Sequence, residues 1–170
     1  MTLQWFGAIL VITACTGVGF SIAAFHIKTE KGLQQLILLL ELMKQELQFH
    51  LTPLPQLIRL AQKESRGTIH AILETLAAEL ESQTHSDASV CMRKALAQYP
   101  QLPPQVSRNL TQLGISLGRF DLDGQLSGLD SVRQLCQREL DGLLINRDVR
   151  IRSYRTLGVC AGIALVILFI

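Results

Sequence analysis

The amino-acid sequence predicts an all-α protein, an antiparallel bundle of about six helices flanked by N- and C-terminal transmembrane helices. Three observations carry this. Between Lys28 and Asp148, apolar residues recur at three- and four-residue steps, in stripes separated by cap, proline and glycine signals. Sustained apolar–polar alternation is missing, and no Asn-Gly or Asp-Gly separates β-branched runs, so nothing reads as a strand. Both ends lack charged side chains, from Met1 to Phe25 and everywhere after Arg155. The chain therefore divides into an N-terminal membrane helix (residues 1–25), a helical domain (26–155) and a C-terminal membrane helix (156–170).

Leu3 to Phe25 makes about 34 Å of helix, enough to cross a hydrocarbon core with some tilt. Trp5 is placed as an interfacial anchor, and Gly17, Gly19 and Ser21 would let another helix approach closely. Met1-Thr2-Leu3-Gln4 has no basic residue, which argues against a cleaved secretory signal. Ile12-Thr13-Ala14-Cys15 has the look of a bacterial lipobox, so an exported lipoprotein with a helical domain is the alternative. The chain stays apolar after Cys15 to Phe25, which favours an uncleaved anchor.

In the domain, Leu33, Leu36, Ile37, Leu40, Met43 and Leu47 mark a first helix, continuous with the membrane segment but for Gly32. Leu51-Thr52-Pro53-Leu54-Pro55 closes it and opens a second, with Thr52 as cap and the prolines in a first turn whose N–H groups lack partners anyway. Leu54, Leu57, Ile58 and Ala61 line the second helix, and Arg66-Gly67 breaks it. Ile69, Ile72, Leu73, Leu76 and Leu80 line the third. After the polar stretch from Gln83, Ser86 or Asp87 caps a fourth helix carrying Val90, Cys91, Ala95 and Leu96, which Pro100 ends. Pro103-Pro104 starts a fifth with Val106, Leu110, Leu113 and Leu117. Asp121 caps the last, with Leu122, Leu126, Leu129, Val132, Cys136, Leu140 and Leu143, and no proline follows.

The tail from Leu157 to Ile170 makes only about 21 Å of helix, short of a hydrocarbon core of roughly 30 Å. Arg147, Arg150, Arg152 and Arg155 stand before it, placed to meet anionic headgroups at the membrane surface and to snorkel. Gly158 and Gly162, four apart, have the small-residue spacing of helix packing in lipid. Lys28 and Lys31 follow the first span, the arginines precede the second, and the outer ends carry no Lys or Arg. The positive-inside rule puts residues 26–155 in the cytoplasm.

A net charge of +2 gives no footing for nucleic acid, and 48% hydrophobic residues fit one modest domain with membrane segments. Among the 4 cysteines no pair has Cys-x-x-Cys spacing, and none forms a disulfide framework. His26, His50, His70 and His85 are scattered without metal-ligand spacing. Asp121-Leu122-Asp123-Gly124 begins like a calcium loop, but its glycine comes too early and the later oxygen ligands are missing. There is no phosphate-binding glycine loop and no nucleophile elbow. No residue set supports catalysis, a cofactor or a small-molecule substrate. Gly114 and Gly118, with Asp121 after them, are the candidates for a partner contact, through close helix approach.

Four stretches match a known pattern: Thr16-Gly17-Val18-Gly19-Phe20; Thr52-Pro53-Leu54-Pro55-Gln56-Leu57; Leu113-Gly114-x-x-Leu117-Gly118 followed by Asp121 and Gln125; and Tyr154-Arg155-Thr156-Leu157-Gly158. With them the chain resembles the stage III sporulation protein AB family over essentially its whole length. Arg119-Phe120 before Asp121 departs from the pattern, where a smaller residue is expected. The resemblance implies a non-enzymatic membrane component of the channel-like complex between mother cell and forespore. It further implies kinship with the inner-membrane platform protein of type II secretion. The implied partners are a cytoplasmic secretion-type ATPase and the other membrane subunits of the complex. The implied location is the mother-cell side of the outer forespore membrane.

Overall fold

The computed structural model describes residues 2–82, 87–117 and 121–145, and of residues 2–20, 22 and 23 the backbone alone. Among the described residues there are six helices and no strand: α1 (Thr2–His50), α2 (Leu54–Glu64), α3 (Gly67–Glu81), α4 (Ala88–Ala97), α5 (Pro104–Ser116) and α6 (Leu122–Ile145). The chain divides into two units, residues 29–140 and residues 1–28 together with 141–170. In the second unit, Phe25 stands edge-on to the His26 ring, their centroids 6.4 Å apart. Among the described residues no helix is long and apolar enough to cross a membrane. The membrane helices expected over 1–25 and 156–170 fall where the backbone alone is mostly described, or outside the described residues.

The unit from Thr29 to Leu140 is built as the apolar stripes require. Leu33, Leu36, Leu40 and Met43 of α1 are buried together with Leu57 and Ile58 of α2 and Ile72, Leu73 and Leu76 of α3. Met92 of α4, Leu110 and Leu113 of α5, and Leu129, Val132 and Cys136 of α6 complete the core. Each such leucine or isoleucine contributes about 1.5–3 kcal/mol by leaving water. Ends fall at the signals that set them. Pro53 and Pro103 stand at the N-caps of α2 and α5. The Asp87 side chain accepts the Ser89 N–H at 2.9 Å, and that of Asp121 accepts the Gly124 N–H at 3.1 Å.

Cross-helix contacts fix the directions. Helix α2 packs on α3, α3 on α4 and α4 on α5. Asn109 reaches Glu139 at 2.9 Å, while a Cβ on Gly128 would lie 2.7 Å from Ser116 Cβ, so α5 and α6 are antiparallel. A Cβ on Gly32 would lie 2.9 Å from Val106, which places the start of α5 beside Gly32 of α1. With α1 and α5 parallel, stepping equally along α1 and α6 from the level of Glu139 brings Lys44 to Asp130. That ion pair is present, at 3.2 Å. The helices therefore alternate up and down. The chain enters the unit at Thr29 and leaves it at Leu140 at one end, the base. His50, the start of α2, the end of α5 and Asp121 lie at the other, the tip.

Three local expectations change. Gly32 does not interrupt α1, which runs through it; its missing Cβ is what admits Val106. Thr52 does not cap α2, since its hydroxyl donates to Glu46 Oε2 at 3.2 Å and Pro53 holds the cap position. Leu51 ends α1 with φ at 52°, a left-handed conformation that costs a bulky side chain about 1–2 kcal/mol and favours glycine.

Candidate functional site

At the tip, the two helix ends and the loop between α1 and α2 leave large apolar side chains in water. Phe49 is 73% exposed, Leu51 65% and Leu122 39%. Leu122 belongs to the predicted apolar stripe of α6, but as the first residue of the helix it has no neighbouring turn to bury it. Leu38 of α1, Ile115 of α5 and Leu135 of α6 are also exposed.

The conformation of the α1–α2 loop is held from below. Glu46 Oε2 accepts the Thr52 hydroxyl at 3.2 Å and lies 3.3 Å from His50 Nδ1. Pro53 fixes its own φ and biases Thr52 toward extended backbone. Leu51 is thus held between a helix end and a tethered Thr-Pro step.

The electrostatics of the tip half are one-sided. Four of its described cations are engaged within the chain. Lys44 and Arg133 pair with Asp130, Arg59 with Glu81, and Lys94 with Glu79. The Lys44 ammonium, helped by Arg133 and Gln134, holds the Asp130 carboxyl below its ordinary value. The two-pronged Arg59 contact, at 2.7 and 2.6 Å, does the same for Glu81. Asp121 and Asp123 are exposed at the start of α6 and have no ion pair among the described residues. Their charge also suits the positive end of the helix dipole.

Gly114 is buried in α5 against α4. A Cβ there would lie 2.6 Å from Met92 Cβ, 3.0 Å from Met92 Cγ and 3.4 Å from the Ala88 carbonyl oxygen. The close approach suggested by its spacing is therefore made within the chain, and Gly114 lies inside the bundle and not on its surface. Asp121 does lie at the surface. Gly118 is outside the described residues, as are Arg147, Arg150, Arg152, Arg155, Gly158 and Gly162. Gly17 and Gly19 lie in the part of α1 described by backbone alone, and Ser21 is exposed.

Towards the base, α5 and α6 share a polar contact that no sequence pattern announced. Asn109 is fully buried and donates to Glu139, which Arg108 also approaches at 3.6 Å. Cys136, one turn before Glu139, is buried, and burial beside that carboxylate pushes its thiol up to about 12. A thiol so held is a core side chain, not a nucleophile. Among the described residues no group of His, Cys, Asp and Glu is arranged to hold a metal ion.

The exposed trio at the tip carries no such pattern either: periodicity assigns Leu122 to a core face, and Phe49 and Leu51 fall outside the apolar stripes. The available signal was a leucine directly after a helix and before Thr-Pro, where glycine is favoured.

Comparison with known proteins gives two findings. The family model described as stage III sporulation protein AB matches residues 4–170. A solved structure titled stage III sporulation protein AB (SpoIIIAB) is similar in fold, with a TM-score of 0.63 at 16% identity, over 72% of this chain and 98% of that one. No curated protein sequence matches.

Proposed function

The chain belongs to the stage III sporulation protein AB family, and from that premise we propose that it is a non-enzymatic membrane platform. In this reading the helical bundle stands in the cytoplasm on the mother-cell side of the outer forespore membrane. It docks a cytoplasmic secretion-type ATPase and joins it to the other membrane subunits of a channel-like, type II secretion-like complex.

One observation supports this most: the bundle receives and returns the chain at the same end. Thr29 and Leu140 lie at the base, and beyond each the sequence runs on to an uncharged segment flanked by cations, Lys28 and Lys31 on one side and the four arginines on the other. A domain held to one membrane by two spans needs both connections on one face, and its opposite end is then available for a cytoplasmic partner. The apolar contacts proposed in the bilayer are Gly17, Gly19 and Ser21 against Gly158 and Gly162.

The test is topology combined with capture. Cys91 and Cys136 are buried and would resist an impermeant thiol reagent on either side of a membrane. Cysteine is therefore introduced at exposed Gln45 or Gln134. Labelling is expected only after permeabilisation, with the ATPase co-purifying from sporulating cells. Labelling in intact cells would favour the exported lipoprotein and remove the platform reading.

A further inference from the structure

We infer that the tip of the bundle is the contact for a protein partner presenting an apolar pocket ringed by basic side chains, and that Leu51 enters that pocket. The inference rests on the docking reading above and names its surface and its chemistry.

Three observations meet there. First, Phe49, Leu51 and Leu122 come from the end of α1, the loop after it and the start of α6. The register through Lys44 and Asp130 brings these segments to one level. Exposed aromatic and aliphatic side chains gathered from separate elements are the usual core of a docking patch.

Second, Leu51 adopts a left-handed backbone while its side chain is 65% exposed. Packing within the chain therefore returns little for that conformation. Glycine would do the same structural work without strain, so the leucine side chain itself is what the conformation presents. Strained residues that are held in place by their surroundings concentrate where ligands are gripped.

Third, the charge is complementary to one kind of partner. Asp121 and Asp123 edge the patch without an ion pair among the described residues, where Lys44, Arg59, Arg133 and Lys94 are each paired with a carboxylate. An acidic rim around an apolar centre opposes an anionic lipid surface, and it opposes a second copy presenting the same face. It attracts a basic protein surface.

The experiment uses the full chain in lipid nanodiscs, titrated with the purified secretion-type ATPase of the same complex. Leu51→Gly is expected to weaken binding tenfold or more, the scale of a buried anchor, while the thermal midpoint stays level or rises. A variant that is more stable yet binds worse separates contact from folding. Leu51→Ser keeps the strain and removes the anchor, and the same loss is expected. Asp121→Asn with Asp123→Asn preserves the cap and should cost several-fold in affinity while flattening the salt dependence. Unchanged binding by Leu51→Gly and Leu51→Ser would overturn the inference and leave the platform reading standing. Absence of binding by the parent chain would overturn both.

Discussion

Replacing Gly114 by alanine adds one methyl group, and its cost can be worked from the α4–α5 contact. The new Cβ would sit 2.6 Å from Met92 Cβ and 3.0 Å from Met92 Cγ. Ordinary carbon contacts lie at about 3.5–4.0 Å, so the two helices must separate by roughly 1 Å. Met92 cannot yield by rotation alone, because its Cβ is fixed to the α4 backbone. Separation loosens the packing of Cys91, Met92 and Ala95 on Leu110 and Leu113, all buried. Overpacking of this kind costs up to about 3 kcal/mol, and the better helix propensity of alanine returns about 1 kcal/mol. The net expectation is a loss of about 2 kcal/mol. Gly142→Ala is the matched control: nothing lies within 4 Å of its would-be Cβ, so only the propensity gain applies. Urea unfolding of residues 26–155, followed by circular dichroism, measures both. With a slope near 1.5 kcal/mol per molar, the Gly114→Ala midpoint should fall by about 1.3 M, and that of Gly142→Ala should rise by up to about 0.7 M. A Gly114→Ala midpoint equal to or above the parent's would refute the close approach of α4 and α5.

Three other perturbations test separate parts of the structure. Gly67 begins α3 with φ at 61° and open space around it, so Gly67→Ala should cost about 1 kcal/mol through backbone strain alone, read from the same unfolding curves. Cys136 has its thiol raised from 9.0 to about 12, so the folded state holds its proton more tightly than the unfolded state does. Its contribution is complete below the lower value and is lost as pH rises toward the upper. Stability should therefore fall through that alkaline window, and less so in Cys136→Ala. Asp130 is lowered, chiefly by Lys44, so its contribution is present above the ordinary carboxylate range and lost as pH falls through the folded value. Lys44→Met should cost between a few tenths and about 1 kcal/mol at neutral pH, shrinking in acid; a cost that persists unchanged at low pH would mean that Lys44 acts by packing.

The helices were legible because their signals are local. Six apolar stripes, the Pro53 and Pro103 starts, the Arg66-Gly67 break and the Asp87 and Asp121 caps all act within a turn or two of chain. What was not legible depends on contacts between distant segments. Gly32 looks like an interruption until Val106 is seen beside it, and Gly114 looks like surface until Met92 is. Asn109 gives no sign of full burial, because its Glu139 partner is thirty residues away. The candidate site was read only in part: Asp121 lies at the tip as a surface residue, while Phe49 and Leu51 emerged only once the helices had been placed end to end.

Because Thr29 and Leu140 leave the bundle at the same end, tension applied between these two points would load it as a zipper and not as a shear joint. Pulling the ends apart would open α1 from α6 starting at Leu33 and Leu140, one turn at a time, before force reached the Lys44–Asp130 pair. Opening of that kind yields at lower force than sliding two helices past each other, where many contacts must fail together. A pull on the two chain ends would thus be felt first at the base, while the arrangement of Phe49, Leu51 and Leu122 would be the last to change.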